Sequence, residues 1–179
     1  MKVLFLIALL SATSASAETY AVDPARTQVT FSVRGPVATN ARGVVTASGG
    51  RVVFEPDTPG ACSVAVELDM RKLTTGLGAI DAWLRGKGGF DVDAFPTARF
   101  ASTQVVASGD GQARITGDLT LHGITRPVTI LATLGPSGGD AVAFNGEGQV
   151  KRSDFGLKNM PFVSDTIVLR IVLKTIAPK

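Results

Sequence analysis

QARITGDLTLHGITRPVTILATL (Gln112–Leu134) reads as two strands meeting at a tight turn. Ile115, Leu119 and Leu121 alternate with Arg114, Thr116, Asp118 and Thr120; past Pro127, Val128, Ile130, Ala132 and Leu134 resume the same period of two. That period belongs to strands with one buried face, because successive side chains leave a strand on opposite sides. His122-Gly123 lies at the strand end, beside the turn.

The pattern extends along the chain in both directions. Val29, Phe31 and Val33 alternate with Gln28, Thr30, Ser32 and Arg34, and Val64, Val66, Leu68 and Met70 alternate with Ser63, Ala65, Glu67 and Asp69. Val142, Phe144 and Val150 repeat it, as do Ile167, Leu169, Ile171 and Leu173. With Val44–Phe54 and Ala98–Val106 this makes about eight strands, separated by turn-rich clusters at 57–60, 108–111 and 135–140. One segment departs from the rule. Between Leu77 and Arg85, the residues Ile80, Trp83 and Leu84 recur at helical spacing, and Gly86 is placed to end the helix in a left-handed conformation.

The order is thus three strands, a helix, then five strands, with no βαβ alternation. Such a chain builds an antiparallel sheet from neighbouring hairpins, and about eight strands either split into a sandwich or close into a barrel. Closure also removes the exposed edges that template aggregation. The predicted fold is an all-β antiparallel barrel with one short helix between strands 3 and 4. Two details concern its inside and outside. Gly117, Gly146 and Gly148 share the apolar phase of their strands, which marks either a bulge or corner, or close approach by a ligand. Ile167–Ile176 is apolar in both phases, with Val168, Val172 and Ile176 in the second, and so calls for a cover from the helix or a second subunit.

The N-terminus sets the compartment. Lys2, the apolar run Val3–Leu10 and the small residues ending in Ala15-Ser16-Ala17 form a signal peptide over 1–17, leaving a mature domain over 18–179. The run is too short to span a bilayer, which takes about 20 residues, so the expected location is periplasmic or secreted with no integral membrane segment after cleavage. Cys62 is the only cysteine, which rules out an internal disulfide, and it reads as a small buried hydrophobe. Lys and Arg number 18 against 15 Asp and Glu, and they are scattered. A basic stripe with interleaved aromatics is missing, which argues against nucleic acid as a partner.

Few residues offer chemistry. His122 is the only histidine, so a triad or a histidine-containing metal site would have to use it, and a turn histidine satisfied by backbone is the simpler reading. Asp91-Val92-Asp93 begins like a calcium loop, but the rest of the loop does not follow. Gly86-Lys87-Gly88-Gly89 lacks the phosphate-loop spacing and reads as a helix stop with a flexible loop. Asp81 and Arg85 are spaced to pair across one helical turn. Arg152-Ser153-Asp154 reads as a fixed turn at a strand end. No catalytic residue, metal ligand or cofactor site is assigned.

Three ordered segments carry a resemblance: IDAWLRGKGGFDVDAFPTARF (Ile80–Phe100), GDLTLHGITRPVTI (Gly117–Ile130) and KRSDFGLKNMPFVSDTIVLRI (Lys151–Ile171). Together with the opening YAVDPARTQVTFSV (Tyr20–Val33), the chain resembles the YceI-like family of exported polyisoprenoid-binding proteins. It departs from the usual pattern at Arg26-Thr27, where a His-Ser pair is common, and at Trp83, where the helix often carries His. The resemblance implies a lipocalin-like barrel, often a homodimer, that binds an isoprenoid, quinone or fatty-acid-like lipid. The expected apolar lining is Val29, Phe31, Val33, Val66, Leu68, Trp83, Leu84, Phe100, Ile115, Leu119, Leu121 and Phe144. The function this reading gives is a lipid carrier or scavenger that is not an enzyme. Its alternatives are a lipid-acting enzyme using His122 with an acid such as Asp154, and a filled barrel serving as an interaction module.

Overall fold

The structure, a computed structural model, describes residues 17–35, 40–55, 57–109, 111–135, 141–158 and 163–177. All of the predicted leader except its last residue, Ala17, lies outside the described residues, as does most of the turn at 135–140. The strands are β1 (Glu18–Val22), β2 (Gln28–Arg34), β3 (Asn40–Phe54), β4 (Ser63–Asp69), β5 (Thr97–Gly109), β6 (Gln112–Leu121), β7 (Ile124–Leu134), β8 (Ala143–Lys151) and β9 (Thr166–Ile176), with one helix, α1 (Gly78–Arg85).

All neighbours pair antiparallel, and the sheet closes because the long β3 bonds to β4 along one edge and to both β1 and β2 along the other. β1 and β2 are two parts of one stave. Both lie between β3 and β9: Ala21 faces Arg51 and Ile176, and Gln28 faces Thr46 and Val172. The barrel therefore has eight staves, and α1 falls between the third and the fourth, β4 and β5. Sequence periodicity passes over β1, whose five residues bury only Tyr20 and Val22. Thr27 fastens the break between β1 and β2. It is 1% exposed, its hydroxyl donates to the Lys174 carbonyl at 3.0 Å and accepts from the Lys174 N–H at 3.0 Å, and its own carbonyl takes the Ala47 N–H.

The opening hairpin of the sequence reading is β6–β7, and its two-residue loop is His122-Gly123, with φ of 51° and 72°. Positive φ at both loop residues is the primed turn whose twist matches that of the flanking strands. The three in-phase glycines resolve as packing sites. Gly117 faces Ser102 at a bulge in β5, where a Cβ would sit 2.4 Å from the Ala101 carbonyl oxygen and 2.6 Å from the Phe100 ring. Over Gly146 and Gly148 the space is taken by the Ile130 side chain, 2.9 Å and 2.5 Å from the missing Cβ atoms. The protein's own side chains lie over these glycines.

Three expectations need correction. First, α1 does not cover β9. Its buried Leu84 packs with Leu73, Phe90, Val92 and Phe155, the cluster that closes one end of the barrel. On the outside of β9, Val168 and Val172 remain half-buried beside polar partners such as Ser32, Gln149 and Gln28, which isolates them from each other. Second, Gly86 ends the helix in an extended conformation, φ −75° and ψ −179°. The chain then folds back under the helix end: the Phe90 N–H reaches the Leu84 carbonyl at 2.7 Å and the Val92 N–H reaches that of Arg85 at 2.9 Å. Gly89 permits this, since a Cβ there would meet the Leu84 carbonyl oxygen at 2.2 Å. Third, Cys62 precedes β4 and is half-buried; its thiol bonds to the backbone N–H and C=O of Glu55 at 3.3 Å each.

Candidate functional site

The inward side chains do not fill the barrel. An apolar cavity of about 160 Å³ runs through its middle and is walled by residues of β2 to β9. Among the lining residues only Thr27 and Asn145 carry polar side chains, and the Thr27 hydroxyl is already committed to Lys174. A second cavity of about 300 Å³ continues toward the end away from α1 and shares Val64, Ile115, Ala132 and Phe144 with the first. On β6 the first cavity is lined by Leu121, Leu119 and Ile115, and the second by Ile115, Ala113 and Gln112, so the two lie end to end. From Leu121 to Ala113 the strand covers roughly 27 Å, at about 3.4 Å per residue.

Nine of the residues assigned to the lining from sequence meet on this wall: Val29, Phe31, Val66, Leu68, Phe100, Ile115, Leu119, Leu121 and Phe144. Three do not. Val33 packs against the cluster at the helix end, beyond the cavity. Leu84 is 9% exposed and belongs to that same cluster. Trp83 is 45% exposed. An eight-residue helix has a single buried face; Asp81 and Leu84 occupy it, and Trp83 turns outward along Gly88, whose Cβ would stand 3.3 Å from the indole nitrogen. Sequence reasoning left out Val45, Val128, Val150 and Ile167 as lining residues, although the same alternation marks them. It also missed Glu55, a carboxyl at the end of an apolar strand with no motif around it.

The match to the YceI-like domain covers residues 20–175. The chain belongs to the YceI-like family. It is 34% identical over 179 residues to a UPF0312 protein of Pseudomonas syringae pv. tomato, spanning 96% of this chain and 93% of that one. A Pseudomonas putida UPF0312 protein is 33% identical over 135 residues, 73% of this chain and 70% of its own. Among solved structures, Burkholderia cenocepacia BcnA superposes with a TM-score of 0.76 at 24% identity, over 87% of this chain and 99% of its own. A polyisoprenoid-binding domain from Saccharophagus degradans, implicated in plant cell wall breakdown, gives 0.70 at 15% identity, over 89% and 98%. These structural likenesses show a shared lipocalin-type barrel.

The polar residues of this YceI-like barrel hold its helix end together. His122 Nδ1 lies 3.1 Å from the Phe155 carbonyl oxygen, and the Phe95 ring meets the imidazole edge-on at 4.7 Å. A carbonyl only accepts, so this hydrogen bond places a proton on Nδ1. Arg152 reaches the Leu157 carbonyl at 2.5 Å and the Ser164 carbonyl at 3.3 Å, fixing the turn read at Arg152-Ser153-Asp154. Asp165 accepts from the Ser153 hydroxyl at 2.7 Å and from its N–H at 3.0 Å, and these bonds hold the carboxyl below the usual range. Among the described residues no group of three or more His, Cys, Asp or Glu is placed to hold a metal ion, and no helix is long and apolar enough to cross a membrane.

Asp81 does not pair with Arg85 as its spacing suggested. Its carboxylate accepts from the Thr74 hydroxyl at 2.7 Å and from the Thr75 hydroxyl and N–H at 2.6 Å each. Arg85 instead donates to the main-chain carbonyls of Asp81 and Arg71, each at 3.2 Å. The Thr75 hydroxyl, then that of Thr74, then the Thr75 N–H lower the Asp81 pKa. A lowered folded-state value means that this contribution to stability is present above the usual aspartate range, near about 4, and is lost as pH falls through the folded value. Asp81→Asn should therefore be less stable than wild type at pH 7. The gap should close only at acid pH, as followed by urea unfolding at a series of pH values.

Proposed function

We propose that this chain is an exported carrier or scavenger that holds an isoprenoid or other long-chain lipid within the barrel. The observation that carries the reading is the pair of adjoining cavities along most of the β6 stave, the first almost wholly apolar and the second mainly so. Such a space favours an extended hydrocarbon chain, since burial in it yields about 25 cal/mol per Å² of apolar surface removed from water. The name of the Saccharophagus degradans neighbour, a polyisoprenoid-binding domain, supports the same class of ligand. The leader at 1–17 supplies the export signal, with the mature protein over 18–179 in the periplasm or outside the cell.

Catalysis forms no part of this reading. His122 is the only imidazole, and it is engaged with the Phe155 carbonyl and the Phe95 ring. The test is to purify the exported protein without detergent and to examine a solvent extract by mass spectrometry. A long-chain lipid in the extract, at close to one per chain, is the expected result; an extract without lipid would count against the carrier. His122→Ala should bind a fluorescent prenyl probe as wild type does. Turnover of a lipid substrate that disappears in this variant would replace the carrier with an enzyme.

A further inference from the structure

Glu55 follows β3 at the barrel end away from α1 and is only 5% exposed. Its backbone is fully engaged. The N–H meets the Cys62 sulfur at 3.3 Å, and the carbonyl accepts from the Cys62 thiol at 3.3 Å and from the Thr58 N–H at 3.3 Å. The side chain is different: Oε1 is buried and has no hydrogen-bond partner among the described residues. Burying an acceptor without a donor is unfavourable, and a packed core would have an apolar residue there or a paired one. Glu55 lines the second cavity alongside the apolar Val52, Val64, Val105 and Leu134; the side-chain donors of that wall are the Cys62 thiol, which bonds the Glu55 carbonyl, and the amide of the exposed Gln112, and neither bonds Oε1. The wall of the second cavity thus carries a residue with a buried acceptor that has no partner among the described residues.

The geometry points to Glu55 as the head-group site for an apolar chain that ends in a hydrogen-bond donor, a hydroxyl or an amine. This assignment rests on the lipid-binding reading above and specifies the class of its ligand. A carboxylate accepts and does not donate, so an O–H or N–H head supplies what Oε1 lacks. A carboxylate or phosphate head would set like charge against it inside an apolar wall. An ether of the same chain would offer no donor at all.

The experiment compares geranylgeraniol, its methyl ether and geranylgeranoic acid as competitors of a fluorescent prenyl probe. The proteins are delipidated wild type, Glu55→Leu and Glu55→Gln. Wild type should bind the alcohol about tenfold or more tightly than the ether, the scale of one hydrogen bond to a charged acceptor, and should bind the acid more weakly than the alcohol. Glu55→Leu should bind alcohol and ether alike. Glu55→Gln, whose amide oxygen still accepts, should keep the preference for the alcohol and lose the discrimination against the acid. Binding of all three ligands alike by wild type, or a preference for the alcohol that survives in Glu55→Leu, would overturn the head-group assignment and leave the carrier standing. If wild type binds none of them, the carrier reading falls and takes this one with it. Delipidated Glu55→Leu should also melt at or above the wild-type temperature, because it removes an unpartnered buried acceptor. Melting well below wild type in both variants would make Glu55 a structural group and overturn the proposal.

Discussion

Phe155→Ala is expected to lower the stability of the delipidated protein by about 3–5 kcal/mol, the range for losing a fully buried aromatic side chain. Phe155 is 1% exposed and packs with Leu73 (0%), Phe90 and Leu157 in the cluster that stoppers the helix end of the barrel. That end has little freedom to collapse into the hole. The Phe155 carbonyl holds His122, Gly156 turns the chain at φ 75°, and Arg152 ties the Leu157 and Ser164 carbonyls together. Phe100 provides the comparison, since its ring faces the cavity as well as Gly117. It lacks partner atoms on the lumen side, so Phe100→Ala should cost clearly less. Urea unfolding of both variants measures the difference. Equal losses would mean that the space beside Phe100 is filled as tightly as that around Phe155, and the cavity would have no basis.

Ala132→Phe should act in opposite directions on binding and on stability. Ala132 is 6% exposed and belongs to the shared wall of the two cavities, paired with Gly146 across the strand, with Ile130 filling the space over that glycine. A phenyl group there stands across the passage. It should exclude about four or five carbons of a bound chain, each contributing about 0.8 kcal/mol, and so weaken prenyl-probe affinity by roughly 10²–10³-fold. The delipidated protein should keep its stability or gain some, because the new ring fills empty apolar volume. In a close-packed barrel the same substitution would overpack, at a cost of about 1–3 kcal/mol. Probe titration and urea unfolding of one preparation therefore read both effects. A destabilised variant with undiminished affinity would place the bound chain somewhere other than this lumen.

Local alternation was enough to read most of the barrel. Ile115, Leu119 and Leu121 against Arg114, Thr116 and Asp118 fix which face of β6 turns inward, because a one-residue slip would reverse every side chain. The same period of two marked Val29, Phe31, Val66, Leu68, Phe100 and Phe144, and they share one wall once the sheet closes. The helix was legible from Ile80, Trp83 and Leu84, but its orientation was not. Its single buried face is chosen by what lies beneath it, and contacts from Leu73, Phe90 and Phe155 took Leu84 inside while Trp83 faced outward.

The amino-acid sequence by itself determined that this is an all-β chain with one short helix, which phase of each strand faces inward, and membership of the YceI-like family. Tertiary structure alone decided three further matters. It joined β1 and β2 into one stave through Thr27, a bond from one end of the chain to the other that no local pattern encodes. It gave the Asp81 carboxylate to Thr74 and Thr75 and left Arg85 to main-chain carbonyls, since helical spacing limits which groups can meet but not which competitors approach from the preceding loop. It also left a carboxyl oxygen of Glu55 buried in the wall of the second cavity without a partner among the described residues. Whether a polar atom is satisfied depends on every element packed around it, and strand periodicity records only which side of the sheet it is on.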